Sequence, residues 1–124
     1  MSEGNLYSPP LVLEKDFTLH CAHQLVDQGG KCVNLHGHTY KVELEIMGFA
    51  EKENNMLIDT YILDELIVKP YDHFCLNDTL DTNNPTMEFM AMEFVRILEE
   101  KLPENIKRIR VTVWETANSR VHIS

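Results

Sequence analysis

The feature that most constrains the fold is the stretch HGHTYKVELEI, which starts at residue 36 and alternates strictly in chemical character. One parity carries histidines, a tyrosine and then aliphatic residues, whereas the other carries threonine, lysine and glutamates. Because side chains of a β-strand point alternately to opposite faces, the pattern predicts a strand with one apolar and one polar face. The first set is His36, His38, Tyr40, Val42, Leu44 and Ile46.

Three other segments alternate in the same way. Residues 11–23 form a first strand, residues 109–113 form a third long strand, and SRVHI at 119–123 can pair with it as a short fourth strand. We therefore expect four strands, two before and two after a central region.

The central region carries two helical patterns. Apolar residues at helical spacing lie between Asp59 and Lys69, and Pro70 ends this pattern. Asn84 and Pro85 then supply an N-cap and a first-turn proline for a second helix. The order β-β-α-α-β-β predicts an α+β domain, with two helices on one face of a four-stranded antiparallel sheet.

Composition bounds the number of domains and the class of partner. At 124 residues with 44% apolar content, the chain fits one domain whose core needs no disulfides. We expect residues 1–10 to be a flexible leader and residues 11–124 to form that single domain. The formal net charge of −9 disfavours nonspecific binding to nucleic acid or to an anionic membrane surface.

The sequence also indicates a compartment. No apolar run approaches the roughly 20 residues that span a bilayer, and the N-terminus lacks the features of a signal peptide. Three cysteines are an odd count, which disfavours a disulfide framework. We therefore expect a cytoplasmic protein with no membrane partner.

Three histidines form the first candidate site. His36 and His38 project to one side of their strand, although two histidines at this spacing also occur as a plain polar strand start. His23 ends the first strand with the parity of its apolar residues, so pairing of the two strands would bring three imidazoles together. A set of three histidines suits a Zn²⁺ ion that keeps one coordination position open.

Cys32 precedes this histidine pair, and the positive charge of Lys31 would favour its thiolate. It can be a base or nucleophile, a small buried hydrophobic residue, or a fourth zinc ligand that closes the site. Spacing alone leaves these three alternatives open.

Two acidic residues, Asp72 and Glu115, are further candidate site residues. Asp72 can orient the imidazole of His73 for proton transfer, although such pairs in loops are often only solvated. Glu115 shares the parity of an apolar strand face, where a carboxylate needs partners, such as the two N–H donors of an aminopyrimidine edge, unless it is an exposed strand end. His20 and His122 fall on polar strand faces and receive no role.

Five segments together resemble the 6-pyruvoyltetrahydropterin synthase superfamily, with its 6-carboxytetrahydropterin synthase branch of the queuosine pathway as the nearest. They are FTLHCAH, similar to F-x-x-x-A-A-H; KCVNLHGHTY, similar to C-x-x-x-H-G-H-x-[YF]; YDHFCLND, similar to L-D-H-x-x-L-N; NPTMEF, similar to N-P-T-x-E-N; and WETA, similar to a terminal E-T. The matches run in family order from Phe17 to Thr116. Tyr71, Cys21 and Phe89 depart from the family pattern without removing a catalytic position.

The resemblance implies the tunnelling fold, in which sheets of three subunits close a barrel and two rings stack into a homohexamer. It implies that a Zn²⁺ ion is held by three ligands, that three residues act as base and proton relay, and that others contact the pterin. The zinc ligands would be His23, His36 and His38, the catalytic residues Cys32, Asp72 and His73, and the pterin contacts Glu115, Thr86 and Thr116. Lys31 or Arg120 would meet the phosphates.

The implied activity is a zinc-dependent lyase reaction. It converts 7,8-dihydroneopterin triphosphate to 6-carboxy-5,6,7,8-tetrahydropterin and releases acetaldehyde and triphosphate. One alternative is the 6-pyruvoyl activity, which eliminates triphosphate but keeps the side chain. Another is a noncatalytic module that binds pterins or zinc.

Overall fold

A computed structural model describes residues 7–26 and 34–124 of the chain. Its sheet has four strands in the order β1-β2-β3-β4, and each strand runs antiparallel to its neighbour. The strands are β1 (Pro10–His23), β2 (His36–Phe49), β3 (Ile106–Thr116) and β4 (Ser119–Ile123). The predicted four-stranded antiparallel sheet is therefore confirmed.

Among the described residues, all helical segments lie between β2 and β3. The first comprises α1 (Thr60–Leu63), which continues directly into a π-helical turn (Asp64–Val68), and the main helix α3 spans Met87–Lys101. A short helix, α2 (Leu76–Thr79), lies between these two segments, where the sequence pattern predicted no helix. The two predicted helices are thus present, together with one additional turn.

The start of α3 differs from the sequence prediction. Thr86, rather than Asn84, is the N-cap, because its backbone is extended and its hydroxyl accepts a hydrogen bond from the N–H of Phe89 at 3.1 Å. The prediction of an Asn84 cap was therefore wrong by two residues. As a result Pro85 lies before the helix, with its carbonyl available to another partner.

The core lies between one face of the sheet and the helices. Each strand supplies residues of one parity to it, and α3 supplies its apolar stripe. Full burial of each large apolar side chain stabilises the fold by about 1.5–3 kcal/mol. Fully buried members include Leu19, Val42, Leu44, Ile46, Met90, Phe94, Leu98, Val111 and Val113.

Gly48, near the C-terminal end of β2, permits close approach of the backbone at Asn105. The register of β2 and β3 shifts between Met47 and Gly48, and a Cβ atom on Gly48 would lie only 2.1 Å from the carbonyl oxygen of Asn105. Asn105 in turn donates through Nδ2 to the carbonyls of Phe49 at 2.9 Å and Leu57 at 2.7 Å. Position 48 therefore excludes any side chain.

The predicted leader is described only from Tyr7 onward, and residues 1–6 lie outside the described residues. Ser8 accepts a hydrogen bond from the N–H of Ala50 at 2.8 Å, and β1 begins at Pro10. None of the helices in the described ranges combines the length and apolar character needed to span a bilayer.

Candidate functional site

Three imidazoles converge at one end of the sheet, on the face that also carries the core. His23 ends β1 and is paired directly with His36 at the start of β2, while His38 is paired with Cys21. One ring nitrogen of each histidine lies within 4.8 Å of the others. His23 is fully buried, and the other two rings are half-buried. The convergence expected from strand parity is therefore present.

Backbone carbonyls fix the tautomers of two of these rings. Nδ1 of His23 lies 2.9 Å from the carbonyl oxygen of Pro85, and Nδ1 of His36 lies 2.7 Å from that of Asn34. A carbonyl oxygen only accepts hydrogen bonds, so each Nδ1 carries the proton. The two Nε2 atoms, which face each other at 3.0 Å, then present lone pairs to one another.

This arrangement fits a metal ion. Two lone pairs at 3.0 Å repel unless a cation or a proton lies between them. Nitrogens bound to one tetrahedral zinc at roughly 2.0–2.1 Å lie about 3.3 Å apart, close to the observed separation. Carbonyl partners on the remote nitrogens are also the usual support of metal-bound histidines. The donor set of three imidazoles can therefore hold a zinc-like ion.

Burial and the neighbouring imidazoles favour the neutral form of His23. Burial lowers the pKa of His23, and the adjacent His36 and His38 lower it further, whereas the Pro85 carbonyl and Glu115 act in the opposite direction. The carboxylate of Glu115 lies 4.0 Å from Nε2 of His38. A partly exposed carboxylate thus borders the imidazoles, on the parity predicted for it.

Two residues that support this cluster were not predicted from the sequence. The Tyr40 hydroxyl lies 3.2 Å from Nδ1 and 3.4 Å from Nε2 of His23, and burial raises the pKa of this tyrosine, which keeps the hydroxyl protonated. Tyr40 shares the parity of His36 and His38, so its place on the same face of β2 could have been inferred from the sequence. Pro85 acts through its backbone carbonyl, which no sequence signal reveals.

The Asp72–His73 pair lies beside the exposed edge of β1. Oδ2 of Asp72 is 3.5 Å from Nε2 of His73, and Oδ1 of Asp72 accepts a hydrogen bond from the N–H of His20 at 2.8 Å. A parallel bridge between Ala22 and Cys75 continues this attachment. The carboxylate and the imidazole are therefore held together, as the sequence suggested.

The remaining predicted contacts are spread more widely. Thr86 uses its hydroxyl as the α3 cap, and Thr116 lies at the β3–β4 turn with its hydroxyl 3.4 Å from Oδ1 of Asn118. Arg120 lies 4.5 Å over the ring of Trp114 on the face of the sheet opposite the imidazoles. Cys32 and Lys31 lie outside the described residues.

Comparison with known proteins identifies the family. The family model of 6-pyruvoyl tetrahydropterin synthase matches residues 12–124. The chain belongs to this family. The family resemblance inferred from the sequence motifs is thereby confirmed.

Relatives within the family carry one recurrent name. A 6-carboxy-5,6,7,8-tetrahydropterin synthase from Haemophilus influenzae is 40% identical, over 86% of this chain and 94% of the relative. A protein of the same name from Synechocystis sp. is 34% identical, over 88% and 91% respectively. The chain therefore spans nearly the whole length of these family members.

A solved structure supports the fold. The 6-pyruvoyl tetrahydropterin synthase of Caenorhabditis elegans superposes with a TM-score of 0.74 at 23% identity and covers 94% of this chain and 96% of the neighbour. At this identity the likeness establishes the architecture of the family and no more.

Proposed function

We propose that the chain is a zinc-dependent lyase of queuosine biosynthesis. It would convert 7,8-dihydroneopterin triphosphate and water to 6-carboxy-5,6,7,8-tetrahydropterin, with release of acetaldehyde and triphosphate. The names of the relatives at 34–40% identity support this branch over the 6-pyruvoyl branch. The observation that carries the proposal is the pair of facing Nε2 atoms of His23 and His36, with His38 beside them.

We propose that His23, His36 and His38 hold zinc. When bound, the ion supplies Lewis acidity that makes protons next to a substrate hydroxyl easier to remove. Three neutral nitrogen ligands leave one position for such a hydroxyl. The carbonyls of Pro85 and Asn34 keep two of the rings in the tautomer that this role requires.

Glu115 would orient the substrate. Its carboxylate borders the imidazole cluster at 4.0 Å from His38 and is about one quarter exposed, so a ligand can reach it. Two parallel hydrogen bonds from an aminopyrimidine edge to the two carboxylate oxygens would fix the ring plane, and the negative charge strengthens both. Thr86 and Thr116 would supply further contacts to the pterin.

Proton movement would use three residues. The thiolate of Cys32 would remove a proton from the substrate side chain, and the imidazole of His73 would return one at another atom. Asp72 would hold His73 in the required orientation, since its second oxygen is already fixed by the N–H of His20. The sequence motif alone supports the part assigned to Cys32.

The remaining assignments concern the assembly. β1 and β4 are the edges of the sheet, and association of subunits into rings would remove unpaired edges. We propose a cytoplasmic homohexamer of two stacked trimers, to be checked by light scattering. Lys31 and Arg120 would contact the triphosphate, and because Arg120 lies on the face opposite the imidazoles, we assign it to a substrate bound at a neighbouring subunit.

Incubation of the zinc-loaded protein with 7,8-dihydroneopterin triphosphate tests the reaction. We expect equal amounts of acetaldehyde and 6-carboxytetrahydropterin by mass spectrometry. Formation of 6-pyruvoyltetrahydropterin without acetaldehyde would replace the proposal with the sister activity. Absence of both products, with the pterin bound unchanged, would identify a noncatalytic binding module.

Replacement of the thiol separates catalysis from a closed metal site. Cys32→Ala should abolish turnover while zinc content stays at the wild-type level, and Cys75→Ala, which changes a half-buried thiol, is the matched control. Loss of zinc in Cys32→Ala would instead make the thiol a fourth ligand.

A further inference from the structure

The Asp72–His73 pair attaches to the edge of β1 through the backbone of a single residue, His20. The N–H of His20 donates to Oδ1 of Asp72 at 2.8 Å, and its carbonyl accepts from the N–H of His73 at 2.7 Å. Two residues further along, the N–H of Ala22 donates to the carbonyl of Phe74 at 3.2 Å. Asp72 and His73 are therefore both held from the same point of β1.

The side chain of His20 makes a second contact with the pair. The rings of His20 and His73 stack with centroids 5.6 Å apart and planes inclined by 27°. Nδ1 of His20 lies 3.3 Å from the hydroxyl of Thr39, which faces it on β2. The ring of His20 is thus fixed by β2 and limits the rotation of His73, whose side chain is otherwise 76% exposed.

The backbone of His73 needs such support. Its φ of 67° places it in the left-handed region, which side chains with a Cβ atom disfavour. The hydrogen bond to the His20 carbonyl and the ring stack both hold the residue in this conformation. Residues held in this way are common at functional sites.

The stacked rings border an open cavity on the face of the sheet opposite the three clustered imidazoles, because His20 has the strand parity opposite to that of His23. A cavity of about 520 Å³ is lined by both rings together with Gly37, His38 and Thr39. Gly37 leaves this side of the strand uncrowded, since a Cβ atom there would meet nothing closer than the Cys21 carbonyl at 3.6 Å. A ligand atom in the cavity can therefore approach His73 from the side of Gly37 and Thr39.

We propose that His20 is a positioning residue that orients the His73 imidazole for proton transfer through the ring stack. This proposal rests on the proposed function, in which His73 returns a proton to the substrate. In this proposal His20 has no role in holding the metal ion. Its contribution is the fixed direction of the His73 ring, anchored through Thr39.

The test compares two substitutions of His20 in the zinc-loaded full chain. His20→Ala removes the ring, whereas His20→Phe keeps an aromatic surface and both backbone hydrogen bonds. Misplacement of a catalytic group lowers the rate of the chemical step. We therefore expect kcat to fall about 10-fold or more in His20→Ala, with KM within about twofold of wild type. We expect His20→Phe to restore kcat to within about threefold of wild type.

Two independent readouts accompany the kinetics. Zinc content should equal that of wild type in both variants, and NMR resonances of the His73 ring should shift in His20→Ala and return toward wild type in His20→Phe. His122→Ala, an exposed histidine on β4, is the matched control and should leave kinetics and spectra unchanged.

The outcomes separate this proposal from the proposed function. Unchanged kcat and unchanged His73 resonances in His20→Ala would overturn the positioning role. Equal losses in His20→Ala and His20→Phe would also overturn it, since the stack would then contribute nothing. If His73→Ala itself retains full turnover, the proton-transfer role of His73 fails, and the NMR comparison still tests whether His20 orients the ring.

Discussion

The two halves of the candidate site are built by different means. The imidazole cluster lies on β1 and β2, where strand pairing and the alternation of side chains bring the rings together. The Asp72–His73 pair lies outside the sheet and keeps its position through bonds to the backbone of His20. A metal site needs fixed ligand distances, and the extended hydrogen-bonded ladder supplies them. A group that delivers a proton can be carried by a segment tied down at fewer points.

The largest effect that we expect is a loss of zinc affinity when one of the three histidines on the sheet is removed. His36→Ala leaves two imidazoles, so zinc affinity should fall by more than about 100-fold, beyond the 10–100-fold typical of residues that only support ligands. Competition titration with a zinc chelator measures the change, and His122→Ala is the control. Zinc affinity within about threefold of wild type would show that the cluster is not the metal site.

Removal of the charge next to His73 should affect chemistry and leave the metal in place. Asp72→Asn keeps an oxygen for the N–H of His20 but loses the carboxylate 3.5 Å from the His73 ring. Turnover should fall about 100-fold, within the range of general acid–base catalysis, while zinc content is unchanged. Asp78→Asn, an exposed carboxylate on α2, is the control. Loss of zinc in Asp72→Asn would mean that the two halves are not separable.

A smaller effect should appear in the pH dependence of the zinc-free protein. Because burial lowers the pKa of His23 below its ordinary value of 6.5, the unfolded chain binds this proton more readily than the folded chain. The free energy of unfolding contributed by this group is fully present above pH 6.5 and is lost as the pH falls through the lowered pKa. Denaturant titrations from pH 7.5 downward measure this loss.

His23→Gln provides the comparison for the pH experiment, since it has no titrating ring. The loss of stability on acidification should be smaller in His23→Gln than in wild type. A larger loss in the variant would contradict the predicted direction of the pKa.

The smallest expected effect concerns the chemical reactivity of Cys21, which lies in β1 between His20 and His23. Burial raises the pKa of its thiol to about 12, and Sγ donates to the carbonyl of Tyr71 at 3.1 Å. From the ordinary value of 9.0 this lowers the thiolate fraction at neutral pH about 1,000-fold, so alkylation should be correspondingly slow. Mass spectrometry after iodoacetamide treatment would show Cys75, which is half-buried, modified well before Cys21. Rapid labelling of Cys21 in the folded protein would contradict this expectation.

The sequence predicted the sheet half of the site well because its information is local. Strand parity placed His23, His36 and His38 on one face, and β1–β2 pairing then required them to meet. The side of Glu115 followed from the same periodicity. Each of these inferences needed only a short segment and the geometry of an extended chain.

The sequence did not predict the features that depend on tertiary contacts. The hydrogen bond from His23 to the Pro85 carbonyl joins residues 62 positions apart, and it places the residue just before the Thr86 cap against the end of β1. The π-helical turn after α1 and the stacking of His20 on His73 likewise arise from packing between segments. Propensity and spacing contain no term for such contacts.

The last four residues of β1 serve both halves of the site at once. His20 anchors the segment that carries Asp72 and His73, and His23 completes the imidazole cluster three residues later. Fraying that detaches this short span from β2 would disperse the three imidazoles and release the Asp72–His73 pair in a single event. Under the proposed function, both parts of the site would then be lost together and regained together.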